Sequence, residues 1–257
     1  MNAPDTKIAL ELYTIRDSMK NETDFADAMA KTRAAGYEAV ELAGVSPDIP
    51  AKRIKEILDD TGLFCMATQV GLGHLTDDLS QTIDDLKTLE CTHTALAAGP
   101  KETRSRDGYT GLAKTLTESG KILAKEGIKL AYHNHAFEFE RYGDKTGFEL
   151  LYEHSDPNYL EAKIDTAWMQ KGGADVVDWI KRLAGRMTVI HFKDYTIVDN
   201  EITLAEVGEG NLNWAGIIEA CRDAGIQWYV VEQDHCRRDP FESIRISYDN
   251  LTGMGLS

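Results

Sequence analysis

Cysteines and long apolar runs are scarce in this sequence, and each scarcity excludes a class of protein. The four cysteines, Cys65, Cys91, Cys221 and Cys236, include no C-x-x-C pair, which suits a reducing compartment with buried or incidental thiols. No apolar stretch approaches the roughly 20 residues that span a bilayer. The chain also starts without a charged and then apolar leader. We therefore expect a cytoplasmic protein with no membrane partner.

Positive charge is also in short supply. The 28 Lys and Arg residues face 43 Asp and Glu residues, a formal net charge of -15, which would repel a nucleic-acid backbone or an anionic membrane. The hydrophobic fraction of 42% and the charged fraction of 28% are ordinary values for a globular protein. No stretch rich in Pro, Gly or Ser divides the chain, so we expect one domain over residues 1–257.

A helix-like stretch that ends in a Gly-containing turn and leads directly into a short apolar run recurs along the chain. Examples are AGYEAVEL from Ala35, EGIKLAYH from Glu126 and AGIQWYVVE from Ala224. Gly just past a helix end adopts the left-handed conformation at no steric cost, so the next strand can begin at once. Eight strands are predicted: Ile8–Leu12, Ala39–Leu42, Leu63–Thr68, Thr94–Ala97, Lys129–His133, Leu160–Asp165, Met187–Phe192 and Trp228–Glu232.

The alternation of strands and amphipathic helices predicts a parallel sheet, because parallel neighbours need a long connection. Eight such units in about 250 residues are typical of a closed (β/α)8 TIM barrel of the α/β class. The alternative is an open doubly wound sheet. Its glycine fingerprint is missing after the first strand, since LELYTIRDS contains no Gly.

Metal-competent side chains stand at the ends of the last four predicted strands, where a barrel builds its active site. Glu138, Asp165, His191 and Glu232 make a mixed nitrogen and oxygen ligand set, which suits Mn2+ first, and also Mg2+, Co2+ or Zn2+. Without a cation, the carboxylates would repel each other and some would have to bind protons. Taken singly, a strand-end His is often only hydrogen-bonded and a loop carboxylate often only caps a helix. Their joint occurrence predicts a divalent cation.

Six short motifs also follow one another at strand ends or in the loops after them. They are LELYTIRD from Leu10, YHNHAFEF from Tyr132, KIDTAWM from Lys163, HFKD from His191, VGEGNLNW from Val207 and WYVVEQD from Trp228. Together they resemble the sugar phosphate isomerase/epimerase family, the xylose isomerase-like TIM barrels, over essentially the whole chain. The resemblance implies a metal held by Glu, Asp, His and Glu from strands five to eight. Asp165, His191 and Glu232 match this set directly.

The fifth strand departs from the best-known members of that family. Their glutamate ligand sits inside the strand end, where this chain has His133, and the nearest glutamate here is Glu138, beyond the HNH. His133 and His135 share a face with Ala131 and could both point inward. We take Glu138 as the predicted ligand and keep His133 as the alternative.

The resemblance implies a metal-dependent isomerase or epimerase of carbohydrate metabolism, which moves a proton through an enediolate of a ketose, inosose or keto-sugar. Glu232 is the predicted base, with Glu138, His133 or His135 as its acid partner, and Lys193 would neutralise the developing oxyanion. Arg16, Gln69, His74 and Trp168 are predicted to bind substrate hydroxyls or a ring face. For Arg16 and Lys193, a salt bridge at the barrel rim is the alternative.

Other functions remain open at this point. The same base and cation would serve a lyase or dehydratase if a leaving group lay β to the proton removed. An endonuclease-IV-like phosphodiesterase fits the net charge of -15 and the seven histidines poorly, and a non-catalytic sugar-binding barrel is the further alternative. Glu201, Glu206 and Glu209 would repel a phosphate dianion after strand seven, so an unphosphorylated sugar or polyol-derived substrate is expected. The sequence also leaves a homo-oligomer open.

Overall fold

A barrel of eight parallel strands forms the centre of the molecule, as the sequence predicts. The structure is a computed structural model that describes residues 7–256, so the two ends of the predicted domain, residues 1–6 and 257, lie outside the described residues. The barrel strands are β1 (Lys7–Glu11), β2 (Ala39–Leu42), β3 (Phe64–Val70), β4 (His93–Leu96), β5 (Lys129–His133), β6 (Glu161–Lys163), β7 (Val189–Phe192) and β8 (Trp228–Val231).

The barrel closes between β6 and β7. The strands are hydrogen-bonded in the order β6-β5-β4-β3-β2-β1-β8-β7. The two outer strands of this order meet at a single parallel bridge between Asp165 and His191, where the amide of His191 donates to the carbonyl oxygen of Ile164 at 2.8 Å. This bridge lies at the carboxyl end of both strands, the end where barrel active sites are built. Nearer their amino ends, the amide of Ala162 donates to the carbonyl oxygen of Arg186 at 2.8 Å.

Helices cover the outside of the barrel. They are α1 (Glu22–Ala34), α2 (Ala51–Thr61), α3 (Leu72–Thr76), α4 (Leu79–Thr88), α5 (Arg106–Lys125), α6 (Gly147–His154), α7 (Thr166–Lys171), α8 (Val176–Arg182), α9 (Trp214–Ala224) and α10 (Pro240–Gly253). Gly62 after α2 and Gly225 after α9 adopt the left-handed conformation, with φ of 72° and 74°. These two glycines end their helices as the sequence pattern predicts.

Small apolar side chains fill the inside of the barrel. Ala9, Ala39, Met66, Ala67, Val189 and Val230 form one buried cluster, while a larger one lies between the strands and the helices. Above the inner cluster the strands end in charged residues, among them the buried Glu11 and Glu41. The apolar cluster therefore supports a polar space at the carboxyl ends of the strands, which we call the chamber.

Strand boundaries differ slightly from prediction. β2 and β5 have the predicted bounds, whereas β6 has only three residues, Glu161–Lys163, of the six predicted over Leu160–Asp165. The short β6 results from the incomplete pairing at the closure, where Asp165 makes only an isolated bridge. Apolar character alone does not report where backbone pairing stops.

A two-stranded hairpin after β7, Asp194–Val198 paired with Glu201–Ala205, was not predicted. Its turn residues Asp199 and Asn200 both have positive φ, 52° and 66°. Asp and Asn tolerate this conformation better than most residues, so the DN dipeptide was a usable turn signal. A shorter hairpin pairs Arg141–Tyr142 with Lys145–Thr146 after β5. Among residues 7–256, no helix combines the length and apolar composition needed to cross a membrane.

Candidate active site

Four buried side chains converge at the carboxyl end of the barrel. They are His133 from the end of β5, Asp165 just after β6, His191 in β7 and Glu232 just after β8. One potential ligand atom from each lies within 4.8 Å of all the others. Two donors on opposite sides of one ion lie about 4 Å apart, given bonds near 2 Å. The separations between these ligand atoms therefore exceed those around a single bound cation by less than about 1 Å.

A second pair of charges fixes the orientation of His191. Its Nε2 lies 2.6 Å from Oε2 of Glu41, and the other oxygen of Glu41 is paired with the ammonium of Lys163. Burial alone would raise the pKa of Glu41, but Lys163 and His191 lower it to about 2. Because an ionised carboxylate only accepts, Nε2 of His191 carries a proton. A carboxylate behind a histidine is the usual way to orient a metal ligand.

The other nitrogen of His191 faces the chamber. Nδ1 lies 2.7 Å from Oε2 of Glu232. Both atoms carry a lone pair when the ring is neutral, so a positive charge, either a proton or a metal ion, must lie between them. This contact is the first observation that the site fits a cation.

Lys193 lies beside the group and contacts two of its members. Its ammonium lies 2.9 Å from a carboxylate oxygen of Asp165, 2.9 Å from one of Glu232 and 2.7 Å from one of Asp234. Burial would lower the pKa of Lys193, but these carboxylates raise it well above its usual value. Burial would raise the pKa of Asp165, but the ammonium of Lys193 counteracts this effect and the pKa is lowered. Lys193 therefore stays charged inside the chamber, and it is not only a rim salt bridge.

A divalent cation would balance the charges of the chamber when its imidazoles are neutral. Four carboxylates, those of Glu41, Asp165, Glu232 and Asp234, oppose two ammonium groups, those of Lys163 and Lys193. With neutral imidazoles, two negative charges remain, which one divalent ion would balance. In the metal-free protein, a proton on His133 offsets part of the same deficit, since Asp165 and Glu232 raise its pKa to about 9 against the effect of burial. Burying uncompensated charge is costly. The donor set and its charge therefore both fit a divalent metal.

The fifth strand contributes His133 to the group, and Glu138 lies elsewhere. Nδ1 of His133 is 3.0 Å from the carbonyl oxygen of Ala97, while Nε2 is 3.4 Å from Asp165 and 3.6 Å from Glu232. Glu138 instead accepts from the hydroxyl of Tyr132 and from the amide of His135, each at 2.8 Å. Its role is thus to hold the loop after β5.

Burial raises the pKa of Glu138 to about 7, although the hydrogen bonds from Tyr132 and His135 act to lower it. From the sequence we expect Glu138 as the ligand, with His133 as the alternative. The observed geometry favours the alternative, because His133 is the residue that shares the group with Asp165, His191 and Glu232.

Glu11, at the end of β1, is a further acid of the chamber. Its Oε1 accepts from Nε2 of Gln69 at 2.8 Å, and its Oε2 is buried without a hydrogen-bond partner among residues 7–256. Burial, followed by the charges of Glu232 and Glu41, raises the pKa of Glu11 well above its usual value. Its surroundings therefore favour the protonated form of Glu11.

The predicted substrate-binding residues lie around the mouth at different depths. Gln69 contacts Glu11, and Trp168 lies with its ring 5.1 Å from the ammonium of Lys193. Arg16 donates to the backbone oxygens of Tyr13 at 2.8 Å and Asp234 at 2.9 Å, so it holds the loop after β8.

His74 is more distant. It lies on the exposed side of α3, in a cleft of about 350 Å³ between α2 and α4. The structure does not bring it into the central group.

A cleft of about 370 Å³ opens beside Lys193. Trp168, Asp234 and the hairpin residues Tyr195 and Ile202 line it. Asp234 and Trp168 thus border both this cleft and the buried ammonium of Lys193.

Sequence reasoning missed Glu41, Lys163, Asp234 and Glu11 as site residues. Glu11 and Glu41 end the first two strands, so the signal was present in their position. Lys163 stands in the KID motif, directly before the apolar Ile164 and the predicted ligand Asp165. A lysine inside a buried strand is itself unusual. A buried lysine needs a buried acid, and that pairing across β2 and β6 becomes visible only after the barrel closes.

Comparison with known proteins places these residues in context. A family model described as xylose isomerase-like TIM barrel matches residues 29–251. An inosose dehydratase from Mesomycoplasma hyopneumoniae (strain 7448) is 23% identical over 294 residues, covering 96% of this chain and 95% of the relative.

Solved structures share the fold. A sugar phosphate isomerase/epimerase from Parabacteroides distasonis superposes with a TM-score of 0.82 at 21% identity, covering 96% of this chain and 98% of that one. A D-allulose 3-epimerase from Methylomonas sp. gives a TM-score of 0.75 at 14% identity and covers 98% and 99%.

Proposed function

Because the chain belongs to the xylose isomerase-like TIM barrel family, we propose that it is a divalent-metal-dependent isomerase or epimerase of a ketose, inosose or keto-sugar. The shared step is removal of a proton from a carbon next to a carbonyl. The proposal rests above all on one observation, the buried group of His133, Asp165, His191 and Glu232 at the mouth of the barrel.

These four residues are the proposed metal ligands, with His133 in the place that sequence analysis gave to Glu138. A cation bound there would act as a Lewis acid on the substrate carbonyl and so acidify the neighbouring C–H. Mn2+ is the proposed ion, with Mg2+, Co2+ and Zn2+ able to use the same mixture of nitrogen and oxygen donors. Glu41 and Lys163 hold His191 with Nδ1 towards the chamber.

Proton transfer is assigned to the carboxylates. Oε1 of Glu232, 2.9 Å from the ammonium of Lys193, is the proposed base that accepts the proton from carbon. Lys193 would donate hydrogen bonds to the substrate oxygen on which negative charge develops. Glu11, whose buried Oε2 lacks a partner among residues 7–256, would deliver a proton from the side of β1.

A dehydratase is the second candidate, and a specific observation favours it. A relative that matches 96% of this chain is an inosose dehydratase. The first half-reaction would be unchanged, and the intermediate would then lose a hydroxyl from the β carbon. Lys193 would serve as the acid that protonates the leaving hydroxyl, which departs as water.

Product analysis separates the two outcomes. The metal-loaded protein would be incubated with a panel of ketoses, scyllo-inosose and 3-keto-glycosides in deuterated water. An isomerase or epimerase gives a product of the same formula in which deuterium replaces one carbon-bound hydrogen, whereas a dehydratase gives a product that has lost one water. If no carbon-bound hydrogen exchanged in any of these substrates, the proposal would be wrong and a sugar-binding barrel would be favoured.

A further inference from the structure

An aromatic wall runs from the central group along one side of the mouth. We define it by Trp168, His135, Phe137 and Arg104. The ring of His135 lies 5.0 Å from that of His133, 5.8 Å from that of Trp168 and 5.3 Å from that of Phe137, to which it is nearly parallel at 12°. The guanidinium carbon of Arg104 lies 3.5 Å from the centre of the Phe137 ring. The wall thus extends from His133, a proposed metal ligand, to the guanidinium of Arg104.

Three polar atoms of this wall are buried without a hydrogen-bond partner among residues 7–256. They are Nε of Arg104, Nδ1 of His135 and Nε1 of Trp168. Buried polar groups are nearly always paired, and an unpaired one costs about 1–3 kcal/mol. Three of them lie on neighbouring side chains, so the protein itself leaves the polar groups of this wall unsatisfied.

Arg104 differs from most arginines of the chain. Most of the others form an ion pair or donate to a carbonyl oxygen, as Arg106 does to Asp144 and Tyr142. The side chain of Arg104 makes neither kind of contact within residues 7–256. At the other end of the wall, the ammonium of Lys171 lies 4.6 Å from the Trp168 ring, also without an ion pair in the described part of the chain.

We propose that the aromatic wall binds the part of the substrate remote from its reacting carbons, and that Arg104 takes a carboxylate on that part, as in a sugar acid. The planar guanidinium offers two parallel N–H donors that match the two oxygens of a carboxylate. His135 and Trp168 meet sugar hydroxyls, and the ring of Phe137 holds the guanidinium flat. This inference rests on the proposed function and names its substrate class.

A carboxylate fits better than a phosphate monoester, the other oxyanion that an arginine fork binds. The hairpin after β7 and the loop behind it carry Glu201, Glu206 and Glu209 on the same face of the barrel. These charges repel a dianion more strongly than a monoanion. Arg238, which could offset them, is already paired with Glu206 and Glu209.

Calorimetric titration with three sugars tests the proposal. The probes are D-glucuronate, D-glucose, which replaces only the carboxylate by a hydroxymethyl group, and D-glucose 6-phosphate. Each is titrated into the wild-type protein with and without Mn2+. We expect glucuronate to bind at least about tenfold more tightly than glucose. Equal affinities, or no saturable binding of glucuronate, would overturn the proposal. Preference for the phosphate would overturn its choice of carboxylate.

Two arginine variants provide the matched comparison. Arg104→Met keeps the packing on Phe137 but removes the fork, and should abolish the preference for glucuronate while glucose affinity stays the same. Arg106→Gln removes one positive charge two residues away, from an exposed ion pair, and should retain the preference. An equal loss in both variants would point to general electrostatic attraction and contradict a specific site.

A third variant tests the neutral part of the wall. Trp168→Phe keeps an aromatic ring and removes the N–H donor, so glucose and glucuronate should weaken by the same factor. An unchanged affinity for both would remove Trp168 from the wall. Because the Arg104 effect is also measured without Mn2+, it can fail or succeed independently of the metal proposal.

Discussion

Replacement of Glu41 by Gln should separate the two tasks of this buried carboxylate, which holds Lys163 on one oxygen and His191 on the other. All three side chains are essentially inaccessible to solvent. Glu41→Gln leaves the ammonium of Lys163 without its counter-ion in a closed chamber. Breaking a buried pair by removing one partner costs about 3–5 kcal/mol, a large share of the roughly 5–15 kcal/mol of a typical domain.

The same substitution should also weaken metal binding. The neutral amide introduced by Glu41→Gln no longer orients Nε2 of His191 with a full negative charge, and loss of such an outer carboxylate typically costs about 10–100-fold in metal affinity. The free energy of unfolding would be measured by urea denaturation of the metal-free protein. Mn2+ affinity would be measured by calorimetry on the same samples.

A double substitution shows which partner causes which loss. In Glu41→Gln with Lys163→Met no unpaired ammonium remains, so most of the stability should return, because an apolar replacement of a buried pair is often neutral. Metal affinity should stay low, since His191 still lacks its carboxylate. If the double variant were as unstable as Glu41→Gln, the cost would not come from Lys163, and the reasoning would be refuted.

Three further predictions follow from the geometry. Asp165→Asn should lose Mn2+ affinity at least about tenfold, whereas Asp175→Asn, which alters only a helix cap, should keep the metal content measured by mass spectrometry. Burial lowers the pKa of His133, but Asp165 and Glu232 raise it overall to about 9 from 6.5. The free energy of unfolding of the metal-free protein should therefore be highest below pH 6.5 and fall as the pH rises towards 9, a slope that His133→Asn should flatten. Gly120→Ala would place a methyl group 2.0 Å from the carbonyl oxygen of Tyr159 and should cost about 1–3 kcal/mol. Gly111→Ala in the same helix meets nothing within 4 Å and should gain about 0.5–1 kcal/mol; similar thermal melts for these two variants would contradict the packing.

The barrel itself was readable from the sequence because its signals are local. Gly62 and Gly225 end helices through their own conformational freedom, and the apolar runs after the helices mark the strands. The hairpin at Asp199 and Asn200 carried an equally local signal in its turn residues, which went unused. The family resemblance, carried by six motifs, is confirmed by the family model over residues 29–251.

The interior of the site was harder to predict, because it depends on contacts between distant segments. Asp165, His191 and Glu232 were selected by their positions at strand ends, and these three side chains converge in the structure. The choice between His133 and Glu138 depended on how the chain turns after β5, and there Tyr132 and the amide of His135 bind the glutamate. The Lys163 pairing joins residues 122 positions apart. Periodicity within a segment contains no information on such a partner.

The single bridge between Asp165 and His191 has a mechanical consequence. These two residues both fasten the last seam of the cylinder and belong to the group that fits a cation. An ion coordinated by both residues would link β6 to β7, the two strands that share only an isolated bridge. Metal binding would then also stabilise the closure of the barrel between β6 and β7. Without the ion, these two strands would separate more readily.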